Sequence, residues 1–546
     1  TQLTALSATQ IGAFEATDIA GFTTTQLDSF GATQIQGLTV TQVAALTDTQ
    51  VGSLTSTQVA AFETTDLAAL STTNTALLTE TQIGGLSATQ IGALTESQIG
   101  ALTTTQIGAL TPTQIQGLET TNIAGLTVTQ FGGLTATQIN ALDAQDLAAL
   151  TATHISALTT TQLLGITATQ IGALTTTQIE GASITTIDAL TTTQIGGLTA
   201  TLITALSFTQ IGALTTTQLE AFTTTQVVGI DETDISSLST TQTNSLSATQ
   251  ISALTTTQVS ALTATNVGEL SATQLGALSA SQVSAFSTSG IEALSTTDIG
   301  VLTATQLNGL KSTHLGVLSQ TQVETLTATQ IAGIAAVQIN GLSAANFAAL
   351  TTTQLVGLTI GQVKGLSATQ VSAFTTTQVT GLSTTQIAAF TTTQISNLTG
   401  SSVDFLDGTQ IGALAKTQIG ALTVTQFSVL NETDLAFLSA TQVAGLTTAH
   451  ATALTTTQLA AFSATQIGGF ENADLAALTT TNIDALTSTQ FTGLTATQIP
   501  ALTITQIDVI TPTEILGLSS TQAQAFSGSQ VLSMTTEQTN ALQQVL

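Results

Sequence analysis

The chain has 546 residues, no cysteine, and 31 acidic residues against three basic ones, for a net charge of −28. With Lys311, Lys364 and Lys416 its only cations, it lacks the clustered Lys and Arg that displace counterions from phosphate, which argues against nucleic-acid binding. The absence of Cys excludes a disulfide-stapled domain and a thiolate metal site, and no apolar run approaches the ~18 residues that span a bilayer.

Taken in chain order, the sequence is one eight-residue phrase. Residues 87–110, SATQIGALTESQIGALTTTQIGAL, say it three times. With the octad positions named a to h, Ser87 is a, Gln90 d, Ile91 e and Leu94 h. Position h then recurs at Leu6, Phe14, Leu206, Leu310, Leu438 and Leu542, always in phase. Residues 1–546 therefore form a single uninterrupted array of about 68 octads without linkers or inserted loops. The array opens and closes mid-phrase without a Met start or a basic leader, so it is expected to be a fragment of a longer chain.

Positions e and h are apolar and are expected to form the core. Position g, mostly Ala or Gly, suggests close approach of backbone from another octad, and the variable position b faces water. An uninterrupted α-helix is excluded, because eight residues leave each e position about 80° around from the last. An uninterrupted strand is excluded because e and h would point to opposite faces. The chain must turn once per octad.

Position a is nearly always Thr or Ser, with Asp143, Asp231, Asp407 and Asn431 among the exceptions, as suits a helix N-cap. Position d, three residues on, is the capping-box partner, and h with e has the spacing of a hydrophobic staple. Pro112 and Pro512 occupy b, the first helical position. The fold expected is an all-α repeat solenoid, a superhelix of very short capped helices, one per octad and joined through a single capping residue. Two features resist it: Pro500 at f, inside the proposed helix, and the recurrent Thr at c, which has no part in capping. Thr and Ile also favour strands, so the alternative is a β-solenoid with two octads per coil and stacked polar ladders.

No Ser-His-Asp arrangement, phosphate loop or His-x-His spacing occurs. His154, His314 and His450 all replace Gln at d, and the Ser and Thr hydroxyls have no base to activate them, so no enzyme is expected. The acidic residues carry one signal. Five octads are acidic at both a and d where independent placement predicts about one: Glu15 with Asp18, Glu63 with Asp66, Asp143 with Asp146, Asp231 with Asp234, and Glu471 with Asp474. Two carboxylates three residues apart repel unless a cation compensates, so these pairs are candidate weak calcium sites, with descent from one copied octad as the plainer explanation.

The Thr-x-Thr at a to c, as in Thr103 and Thr105, resembles the threonine ranks of insect antifreeze proteins, whose flat β-solenoids bind ice. The phrase LTTTQIGAL is similar to the Leu-Thr-x-x-Gln motif of small periplasmic chaperones. Those carry it once or twice in long charged helices, so their activity is not implied. Over its whole length the chain resembles long LTTxQIxAL segments of bacterial surface and secreted proteins described as adhesin-like. That resemblance implies an extracellular or cell-surface location, bacterial origin and export through a dedicated secretion system. The function expected is structural: an extracellular fibre, stalk or sheath, or a biofilm matrix component, self-associating into a homopolymer. The alternative is a monomeric adhesin shaft that binds polysaccharide, a cell or ice. Mean hydropathy of +0.41 with sparse charge favours assembly.

Overall fold

A computed structural model describes residues 2–546. The chain divides into two compact units, Thr1–Leu270 and Ser271–Leu546, with the boundary between an h and an a position. Within each unit every octad contributes one helical element. Among the described residues there are 65 α-helices, mostly of four to six residues, three 3-10 turns and no strand. The helical solenoid is therefore the fold, and the β-solenoid alternative is overturned. Ice binding through a flat face of threonine ranks loses its premise with it.

Capping explains why helices win over the strand preference of Thr and Ile. In the octad that starts at Thr223, Gln226 N–H donates to Thr223 Oγ1 at 3.2 Å, and Thr223 N–H donates to Gln226 Oε1 at 2.7 Å. This reciprocal box satisfies two of the donors that a helix start leaves unpaired. Pro112 and Pro512 open their helices as expected. Pro500 has no N–H to close the α-type bond, and its octad forms only the 3-10 turn Ile499–Ala501. Ala335 brings no capping hydroxyl, and its octad likewise holds only Ile339–Gly341, whereas Ala415 is followed by the four-residue helix Lys416–Ile419.

The joint between helices is longer than the single capping residue expected. Leu54 at h (φ −61°, ψ 142°) and Thr55 at a (φ −72°, ψ 158°) are both extended. One extended residue would not turn the h side chain inward and still leave the next a residue free to cap.

Burial repeats with the octad. Positions a and c are mostly exposed, b and f range from exposed to half-buried, and d, e and h are largely buried beyond the first coil, as in residues 39–46. Residues at e, such as Ile11, Val43 and Ile195, are 0% exposed. The h side chains of successive octads converge: the Phe14 and Phe22 rings lie 5.6 Å apart and the Phe22 and Phe30 rings 5.9 Å, all edge to face. Helices so short do not persist alone in water, so this shared interior holds them. The burial of d was not foreseen.

Position g behaves as expected. Among the described residues none has positive φ, so its glycines serve close approach rather than a special backbone conformation. A Cβ on Gly37 would come within 2.5 Å of the Ala8 carbonyl oxygen, three octads earlier, and one on Gly117 would strike the Ala88 backbone. Helices three octads apart are in contact, among them Ala16–Ala20 with Val40–Ala44. Each coil of either unit therefore takes between three and four octads.

Candidate functional site

The polar group with the most regular geometry is the d side chain. Of 69 d positions, 48 are Gln. Gln226 spends its Oε1 on the cap, and its Nε2 donates to the carbonyls of Ile195 and Leu198, both at 2.7 Å, in the octad four earlier. Gln42 does the same to Ile11 at 3.0 Å and Phe14 at 2.8 Å. In unit two Gln394 reaches Val363 and Leu366, both at 2.8 Å. One side chain thus closes its own helix and ties it to the coil behind, in a site only 1–7% exposed where an unpaired amide or carbonyl is costly.

The three histidines take over this role. His450 accepts from Thr447 N–H through Nδ1 at 3.2 Å, and its Nε2 lies 2.8 Å from the Leu422 carbonyl oxygen. His154 repeats the arrangement on Thr151 and Leu126. Nδ1 must remain an acceptor, so the neutral ring is the one that fits. Burial holds the His450 pKa below 6.5, and burial together with Lys311 does the same at His314. In the unfolded chain these rings take up a proton near pH 6.5, and in the folded chain only at lower pH. Stability is therefore lost as pH falls below 6.5. His450→Gln should match the parent at pH 8 and exceed it increasingly toward pH 5 in thermal unfolding.

Acidic residues at d can cap but, when ionised, cannot donate. Asp66 Oδ2 accepts from Glu63 N–H at 3.2 Å, and Asp18 Oδ2 accepts from Glu15 N–H at 3.0 Å. Asp143 Oδ1 accepts from the N–H groups of Gln145 and Asp146, while Asp146 takes Asp143 N–H on Oδ2 and the Thr120 hydroxyl on Oδ1. Asp231 Oδ1 accepts from Asp234 N–H at 2.8 Å. The remaining pair, Glu471 with Asp474, has Glu471 drawn outward to Lys416 at 2.7 Å. Desolvation by burial raises the pKa of Asp66, Asp146, Asp434 and Glu514, and raises Asp234 and Asp474 to about 6.

In four of the five pairs the d carboxylate is buried and the a residue lies at the surface, whereas Asp18 is exposed like its partner Glu15. The structure brings each pair together around its own helix start. Among the described residues no group of three or more acidic or His side chains is placed to hold a metal ion, against the six to eight oxygens that calcium prefers.

A surface groove of about 860 Å³, lined by Thr201, Thr204, Thr224, Thr225 and Val228, contains Glu180 as its one ionisable residue and so presents no acid–base pair.

Sequence reasoning assigned d to capping and missed its reach to the coil behind. A signal was present: a capping box accepts Glu as well as Gln, yet Glu occurs at d once, at Glu514. An amide suits the position because it both accepts at the cap and donates to a carbonyl, which a neutral His also does and an ionised carboxylate cannot.

Four stretches, residues 11–48, 59–96, 139–176 and 467–504, match the model of the ALTTAQ repeat. Comparison with curated proteins gives no match. Two solved structures, titled "Structure of APUM23-GGAAUUGACGG" and "Structure of APUM23-GGAUUUGACGG", are similar at 10% identity and a TM-score of 0.12. The alignments cover 97% and 90% of this chain and 95% and 86% of those chains. At that TM-score the likeness carries no argument about fold or ligand. The chain is a repeat protein with a helical solenoid architecture, and no helix is long and apolar enough to cross a membrane among the described residues.

Proposed function

We propose that the chain is an extracellular, bacterial structural protein, not an enzyme, that forms a fibre, stalk or sheath by stacking and lateral association of its octads. The observation that supports this reading is the uniformity of the ties between coils. From Gln42 to Gln538 the d amide in most octads reaches the carbonyl 28 residues back together with the one 31 back, or, as at Gln106 and Gln162, the one 30 back. Such repetition provides length and resistance to local opening without any specialised pocket. Apolar residues on the outward b position, Val40, Ile184, Phe208, Ile360, Val424 and Ile504, are 41–52% exposed and suit lateral contact with further copies.

Electron microscopy of the purified chain across a concentration series tests the proposal. Ordered assemblies that grow with concentration are expected. Particles that stay monomeric at every concentration would overturn self-association and move the adhesin shaft to first place.

A further inference from the structure

Five octads place Asn at d, and all five amides reach the h carbonyl four octads back. Asn74 donates to Leu46 at 3.0 Å, Asn122 to Leu94 at 3.1 Å, Asn266 to Leu238 at 2.9 Å, Asn346 to Leu318 at 2.6 Å and Asn482 to Leu454 at 2.9 Å. A short side chain at d therefore spans the gap between coils. Asp has the shape of Asn, so an Asp in this register that does not spend its carboxylate on its own cap, as Asp66 and Asp146 do, can bring an oxygen to the place where Asn holds its nitrogen.

Asp234 and Asp474 stand in that register, opposite the carbonyls of Leu206 and Leu446. They are 2% and 4% exposed, and Oδ2 of each has no hydrogen-bond partner. Among the described residues no group donates a hydrogen bond to either facing carbonyl. Two acceptor oxygens brought together across the coils repel unless a hydrogen lies between them. Among the described residues no cluster of three or more acidic or His residues is available to hold a metal ion there.

We propose that Asp234 and Asp474 are proton-binding sites between coils, one in each unit. In its protonated form each donates Oδ2–H to the facing carbonyl, of Leu206 and Leu446 respectively, as Asn does elsewhere. Release of the proton to solvent breaks that tie. Mild acid then tightens these two contacts, and neutral pH loosens them.

The surroundings of Asp234 are simple. Its helix, Glu232–Ser237, packs on Phe208–Ala213 and Thr256–Ala261, neither of which holds a titratable group. Asp231 and Glu232 on its own segment are both acidic, and burial with Asp231 alongside lifts Asp234 to about 6. The Asp474 helix, Asn472–Ala477, packs on Thr448–Ala453, which contributes His450, and on Ile499–Ala501, which contributes no titratable group. Glu471 favours the proton on Asp474 and Lys416 opposes it.

Folded Asp234 holds its proton up to about pH 6, whereas the unfolded chain releases it near 3.8. Acidification through that window favours the closed contact, and above it the contact is an unmet cost.

The test compares the full chain with its Asp234→Asn variant by hydrogen exchange of residues 203–206 and 231–238, corrected for intrinsic exchange rates. At pH 7.5 the variant should be at least about tenfold more protected, the equivalent of one pKa unit. The two proteins should converge below pH 4. A difference that does not change with pH, or a variant less protected throughout, would overturn the proposal. So would calcium chloride at pH 7.5 restoring the parent's protection without affecting the variant, since the occupant would then be a cation. Asp474→Asn, read at residues 443–446 and 471–478, repeats the test in the second unit if the first variant fails to fold.

Discussion

Gln226→Glu should destabilise its coil by about 3 kcal/mol at neutral pH, although it keeps the helix cap intact. The new carboxylate can still accept from Thr223 N–H, as Glu514 accepts from Thr511 N–H at 2.7 Å. It forfeits both donations to Ile195 and Leu198 and places a negative charge against two carbonyl oxygens in a buried site. Leaving one buried polar group unmade costs about 1–3 kcal/mol, more when charged. The defect should shrink on acidification, because a protonated Glu regains one donor. Gln226→Asn should keep the bond to Leu198, as the five natural Asn residues keep theirs, but lose the bond to Ile195 and the acceptance from Thr223 N–H, which none of those Asn octads makes, and cost about 2 kcal/mol. Hydrogen exchange across residues 195–198 and 223–230 reads both variants. Equal protection in parent and Glu variant at pH 7.5 would show that the amide contributes nothing between coils.

Phe131→Ala should cost about 3–5 kcal/mol, the usual loss for a buried aromatic cut to a methyl. Phe131 occupies e and is 1% exposed, and its ring meets the His154 imidazole edge to face at 5.6 Å. The truncation removes apolar contact from the interior and also the wall that orients His154 toward the Leu126 carbonyl. Since each octad touches mainly octads three and four away, the loss should appear as early melting of the coil around residues 123–158 while the second unit keeps its transition. Calorimetry with hydrogen exchange checks this. An unchanged first transition would mean that the interior at Phe131 is not closely packed.

The helical character of each octad was legible because it depends on neighbours in sequence. The a and d side chains of one octad cap one helix, and a Pro at f, as at Pro500, disrupts only its own octad. The core at e and h was legible for the same reason, through its fixed spacing. What could not be seen directly was the partner of d, since the carbonyls of Ile195 and Leu198 lie 31 and 28 residues before Gln226 and carry no side-chain signature. The number of octads per coil was hidden with it. The acidic pairs show the same divide. Their excess at a and d is visible in the sequence, but that Asp234 and Asp474 turn an unpartnered oxygen inward depends on the coil behind them.

The most direct measurement of the central claim is a crystal structure of the chain at a resolution that places side-chain amides. The account predicts Gln226 Nε2 about 2.7 Å from the carbonyl oxygens of both Ile195 and Leu198, with the same contacts repeated along each unit. Glutamines at d turned to solvent, or octads paired as strands, would contradict it.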